Sequence, residues 1–161
     1  MIKLKKKKSG DILIDLPMKP VWDNIANLRT FIENFARIKY GEKCEVYDIS
    51  FTVSELLENA FKFSDGCDVR IIISIKSGDK IGIAIENRSR EADIVMLKNE
   101  ISQIRSASAG KVYERKLNAA RKNLTGAGGL GLTMIREKTR GDYELIVKEK
   151  NVRLKYSFKI K

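Results

Sequence analysis

The hydrophobic positions change period along the chain in a readable order. Asp11 to Leu16 alternates weakly through Ile12, Ile14 and Leu16 and stops at Pro17, the pattern of a first or edge strand. From Val21 the spacing turns helical through Ile25, Leu28, Ile32, Phe35 and Ile38, and Gly41 ends that helix. A second helix is expected from about Glu45 to Ser64, closed by the turn residues Ser64-Asp65-Gly66. Val69, Ile71, Ile73 and Ile75 then alternate, with Ile72 making this strand apolar on both faces. Ser77-Gly78-Asp79 is a hairpin-type turn into Ile81, Ile83 and Ile85. Residues 87–127 break the rhythm: they are polar and basic, with helical spacing only locally at Ile94, Leu97, Ile101 and Ile104. So long a weakly patterned stretch reads as a functional lid or a mobile loop. A glycine-rich run then opens a helix through Lys138, Gly141-Asp142 turns the chain, and two strands close it. In the last strand Val152, Leu154, Tyr156, Phe158 and Ile160 face one way and Arg153, Lys155, Ser157 and Lys159 the other. Such a strand has one buried and one wet face. The expected fold is α/β, a two-layer sandwich with a mixed, mostly antiparallel sheet covered on one face by helices.

Composition narrows the classes. At 161 residues the chain suits one domain with a real core, preceded by a basic tail over residues 1–10. No apolar run reaches the roughly 20 residues of a membrane span. The start, MIKLKKKKSG, is basic with no apolar stretch of signal-peptide length behind it, which points to a cytoplasmic chain. There is no histidine, and Cys44 and Cys67 lack CxxC spacing. A His-based triad is thereby excluded, and neither a disulfide framework nor a His/Cys metal site is expected. The net charge of +11 is spread along the chain, dense only at Lys5–Lys8, with no interleaved aromatic residues. This is a generally basic surface rather than a nucleic-acid platform.

Candidate chemistry sits in two places. In SELLENAFKFS, residues 54–64, Val53, Leu56, Leu57, Ala60 and Phe63 fall on one helical arc at about 100° per residue. Glu55, Asn59 and Lys62 make a polar stripe beside it, which by itself is what any solvated helix face offers. The second place is Gly126-Ala127-Gly128-Gly129-Leu130-Gly131, a GxGxxG match. It lacks the buried strand of a Rossmann fingerprint, and the chain has no Gly-Lys-Ser/Thr of a Walker A loop. It leads into Leu132, Met134 and Ile135, the apolar face of a helix. A glycine-rich helix start offers free N–H groups and the positive dipole end, hence an anion site; the competing reading is a flexible hinge.

The order of these features resembles the GHKL ATPase superfamily: an Asn-bearing helix, a hairpin, a long lid, then Gly-Gly-Leu-Gly-Leu opening a helix. That group includes gyrase, the MutL repair proteins, histidine-kinase catalytic domains and the anti-sigma-factor serine kinases. The resemblance runs from about residue 12 to 160 and rests on Glu55-Leu56-Leu57-Glu58-Asn59-Ala60-Phe61-Lys62 and Gly128-Gly129-Leu130-Gly131-Leu132. It implies a Bergerat-type fold over residues 11–161, an ATP lid at about 92–127, and ATP with Mg²⁺ as cofactors. By the same resemblance Asn59 would hold Mg²⁺ through its side-chain oxygen, with water and phosphate supplying the other ligands. Glu55 would be the general base and Lys62 would neutralise phosphate charge. Gly126, Gly128, Gly129, Leu130, Gly131 and Leu132 would form the phosphate-binding turn. The family's Asp-x-Gly-x-Gly motif is replaced by Ile85-Glu86-Asn87-Arg88-Ser89-Arg90. There Glu86 or Asn87 could accept the adenine amino group, but no glycines follow to let the backbone approach the base.

The short chain and the missing phosphoacceptor histidine match the anti-sigma-factor or switch-protein kinase branch. That likeness implies a serine/threonine kinase of a partner-switching pathway. Its partners would be a small STAS-like antagonist protein, a sigma-factor-like regulator or both, and a homodimer would be usual. A degenerate module that binds nucleotide or partner without catalysis is the alternative. A basic nucleic-acid-binding domain is a weaker third, predicting steep salt dependence and indifference to ATP.

Overall fold

A computed structural model describes residues 11–42, 44–76, 79–106, 109–121 and 130–160. The basic tail 1–10, the turn residues Ser77 and Gly78, and Gly126, Gly128 and Gly129 lie outside them. The elements follow the order β1 (Asp11–Met18), α1 (Asp23–Tyr40), α2 (Cys44–Phe63), β2 (Val69–Lys76), β3 (Lys80–Arg88), α3 (Glu91–Ser106), α4 (Ala109–Arg121), α5 (Leu130–Thr139), β4 (Asp142–Lys148) and β5 (Asn151–Lys159).

The five strands form one sheet in the order β1-β2-β3-β5-β4. Every neighbouring pair is antiparallel, so the sheet is not mixed. The reason lies in the last hairpin: β4 takes the outer edge, and β5 folds back into the gap beside β3. The strict alternation of β5 suits that inner position, with Val152, Leu154, Tyr156, Phe158 and Ile160 all buried. β1 is the other edge and continues through Pro17 to Met18, with a register shift between Ile12 and Ile14. An edge strand tolerates proline because one of its sides has no ladder to supply.

The helices cover one face. α2 lies over β2 and β3 and packs between α1 and α5. Its buried side is Val53, Leu56, Leu57, Ala60 and Phe61. Phe61 thus takes the core place expected for Phe63, which is only half-buried. α1 buries Ile25, Leu28, Ile32 and Ala36 and leaves Phe31 and Ile38 exposed.

The weakly patterned stretch after β3 is not a loop where it is described: it forms α3 and α4. Their apolar stripes are narrow, which is why the sequence shows so little period. Yet Ile101 and Ile104 of α3 and Val112 of α4 join the same core cluster as the sheet and α2. The two helices are tied by an ion pair, Lys116 Nζ to Glu100 Oε1 at 2.7 Å, with both side chains about four-fifths buried. No described helix is long and apolar enough to cross a membrane.

Candidate functional site

Three residues of the polar stripe on α2 end up in different surroundings. Glu55 is half-buried, Asn59 is half-buried, and Lys62 is exposed. Glu55 points at the start of α5. Its carboxylate lies so close to Gly131 that a methyl group there would overlap Oε2. The two motifs of the sequence therefore meet in space, and glycine is the residue that lets them. α5 has no acidic side chain in its own first turn, and the Glu55 carboxylate from α2 supplies negative charge at that positive helix end. Burial pushes the Glu55 carboxyl above its ordinary value, Glu58 pushes it the same way, and Arg29 pulls against both. A carboxyl raised in this way is a better proton acceptor at neutral pH than an exposed one.

Asn59 sits one turn further on. Its Nδ2 donates to the Glu55 carbonyl at 2.9 Å. A carbonyl only accepts, so the amide nitrogen must face it and Oδ1 turns the other way. Asn59 lines a cavity of about 680 Å³ between α2, the end of β3 and the two helices α3 and α4. Its floor is apolar, with Leu56, Ala60, Ile85, Ile94, Val152 and Leu154. Lys62 and Phe63 border it, the Lys62 ammonium lying 5.1 Å from the Phe63 ring centre. A concave apolar chamber with a few polar groups is the ordinary form of a small-molecule site.

The hairpin exit divides by pleat. Ile81, Ile83 and Ile85 face the core, so Asn87 faces the cavity and Glu86 faces the opposite side of the sheet. There Glu86 pairs with Arg153 at 3.1 Å and Arg70 at 3.4 Å. Glu86 is thus not brought to the cavity. Asn87 is, and its Nδ2 donates to Ser89 Oγ at 2.7 Å. Leu132 is buried beneath the start of α5, its carbonyl accepting from the Tyr143 hydroxyl at 2.7 Å. Leu130 and Gly131 form the first turn of α5, whereas Gly126, Gly128 and Gly129 belong to the residues outside the description.

The cavity also holds chemistry that sequence reasoning missed. Asp93, in the first turn of α3, lines it with a side chain only 10% exposed, held by Arg90 Nε at 2.8 Å. Glu100 and Lys116 line it from α3 and α4. In sequence Asp93 looks like an ordinary acidic residue of a helix start. The adjacent Ile94 and Leu97, which mark the buried side of α3, were the available signal.

Among the described residues no group of three or more acidic or sulfur and imidazole ligands could cage a metal. The oxygen-bearing side chains that line the cavity include Asn59, Asp93 and Glu100. Few protein oxygens suffice for an ion such as Mg²⁺, which keeps waters and takes phosphate oxygens rather than an all-protein shell.

No family model matches the sequence, and a search of curated proteins finds no match. Among solved structures the fold is similar to a chain in the crystal structure of the SiaB–SiaC complex from Pseudomonas aeruginosa. The TM-score is 0.70 at 15% identity, over 91% of this chain and 89% of that one. The likeness extends over nearly the whole α/β sandwich and is a likeness of fold.

Proposed function

We propose that this chain is an ATP- and Mg²⁺-binding regulatory protein of the GHKL type, acting as a serine/threonine kinase on a partner protein. The observation that carries this reading is the meeting of Glu55 with Gly131 beside the Asn59-lined cavity. It brings a half-buried carboxylate, a side-chain amide oxygen and a helix N-terminus into one small region. Adenine and ribose would occupy the apolar chamber. Asn59 Oδ1 would hold Mg²⁺, which when bound neutralises the charge on the transferring phosphoryl group. Glu55 would accept the hydroxyl proton, and Lys62 at the mouth would offset phosphate charge. With Glu86 on the far face, the polar groups that would meet a base in the chamber come from Asn87, Asp93, Asn99, Glu100 and Gln103. The fold neighbour comes from a complex of two proteins, which supports a protein partner for this chain as well.

The degenerate alternative has one observation in its favour: no carboxylate projects from the hairpin exit, residues 85–90, into the cavity. Turnover separates the two. γ-Phosphate loss from Mg·ATP is expected for the wild type and its abolition for Glu55→Gln, with nucleotide affinity retained. Nucleotide binding without turnover in the wild type would favour the non-catalytic module, and equal turnover in both proteins would remove Glu55 from the role of base.

A further inference from the structure

The face of the sheet away from the helices carries a feature that the cavity does not explain. β2 and β3 pair so that Lys76 lies directly opposite Lys80, and β3 and β5 pair so that Lys80 lies directly opposite Lys159. Like charges placed opposite one another across strands destabilise a sheet. A fourth lysine joins them. Two residues along, Gly82 stands mid-strand between Ser74 and Ser157, its direct partners on either side. With no side chain there, Lys155 lies across the gap: a Cβ on Gly82 would be 3.6 Å from Lys155 Cε, 3.2 Å from Ser74 Oγ and 3.5 Å from Ser157 Oγ. Lys155 thereby reaches Lys76, and its proximity, with lesser contributions from burial and Lys80, pulls the Lys76 ammonium below its usual value.

Carboxylates offset this cluster in part. Glu144 pairs with Lys155 at 3.5 Å, Asp142, opposite Ser157, has Arg105 at 4.0 Å, and Glu45 and Asp48 share a cavity with Lys80 and Lys159. Three of the lysines, Lys76, Lys80 and Lys155, are half-buried rather than free in solvent. A mid-strand glycine weakens a strand, and in a strand interior it often marks close approach of a ligand. Here it makes room for the Lys155 stem, which covers it, so that a hydroxyl on each side and the ammonium groups of Lys76, Lys80 and Lys155 are gathered on one patch of the sheet.

We infer that Ser74, Ser157, Lys76, Lys80 and Lys155, gathered around the buried Gly82, form a binding site for a tetrahedral phosphate dianion, on the face opposite the cavity. The serine hydroxyls and the lysine ammoniums donate to its oxygens, and its charge relieves the repulsion built into the row. The ligand is either inorganic phosphate or a phosphomonoester, which present the same group.

The test is an amide-resolved NMR titration of the full chain at constant ionic strength, with inorganic phosphate and with phosphoserine, against a chloride control. Saturable shifts centred on Gly82, Ser74 and Ser157 are expected. Lys76→Gln/Lys155→Gln should weaken binding about tenfold or more, since it removes two charge-assisted donors. The same double variant should melt higher than the wild type in phosphate-free buffer, which also shows that it folds. Lys148→Gln/Lys150→Gln removes equal charge outside the site and should leave the affinity unchanged. Phosphoserine binding as tightly as phosphate assigns a phosphomonoester, and weaker binding assigns the free anion; both uphold the site. Shifts that do not saturate, or an equal loss in the control pair, would overturn it.

Discussion

Two glycines show what a single atom decides. At Gly131 an added methyl meets only the end of the Glu55 side chain, which can swing away. Gly131→Ala should therefore change stability by no more than about 1 kcal/mol, because alanine also favours the helix. With Glu55 as the base of the proposed kinase, moving the carboxylate should lower turnover on the order of 100-fold, the scale on which small displacements of a reacting group act. At Gly141 the methyl collides with the Ser157 carbonyl and the Tyr156 ring, neither of which can yield. Gly141→Ala should cost roughly 1–3 kcal/mol of folding free energy, measured by urea denaturation. Glu55 itself makes a pH prediction. Its pKa is raised in the fold, so between the ordinary carboxylate value and that raised value the folded chain holds more protons than the unfolded one. Its contribution to stability therefore falls as pH rises through that window. Glu55→Gln should melt higher than the wild type at neutral pH and lose that advantage in acid. The stripe Glu55, Asn59, Lys62 was legible from helical spacing alone. The side to which Glu86 points was legible too, since Ile81, Ile83 and Ile85 fix the pleat and send Glu86 outward. What spacing did not carry was Asp93, because its burial depends on how α3 lies against β3.

At the scale of elements, periodicity served where one face is deeply buried and faltered where it is not. β2 and β3 alternate because their inward residues meet α2, and β5 because Tyr156 and its neighbours pack inward against α5. α3 and α4 present only a narrow apolar edge to the core, so they resembled a loop. The difference is measurable. Ile104 is fully buried, and Ile104→Ala should destabilise the whole domain by about 2–5 kcal/mol in a cooperative unfolding transition. A loop-like lid would lose far less, because its side chains would not belong to the core. A mostly antiparallel sheet was legible in the sequence, but its strand order was not, for a different reason. Strand order follows from where β4 and β5 dock, and nothing in their own alternation says that the chain reaches the edge first and then turns inward.

The molecule as a whole is a sandwich with two unlike faces: helices and a cavity on one, a charged open sheet on the other. Across that open face Asp15, Arg70, Glu86 and Arg153 form a continuous row of ion pairs over four strands. The cavity face assembles pieces distant in the chain, α2 with the start of α5 and the end of β3 with α3 and α4. That is why the candidate region was legible in sequence only through motif order, while its floor emerged from the fold. The central claim is that this region binds Mg·ATP through Asn59. Calorimetric titration of the full chain with ATP, with and without Mg²⁺, tests it most directly. The account predicts that the wild type binds ATP more tightly with Mg²⁺, and that Asn59→Ala, folded as judged by circular dichroism, loses the Mg²⁺-dependent gain. No binding of adenine nucleotide by the wild type at millimolar concentration, with Mg²⁺ present, would contradict it.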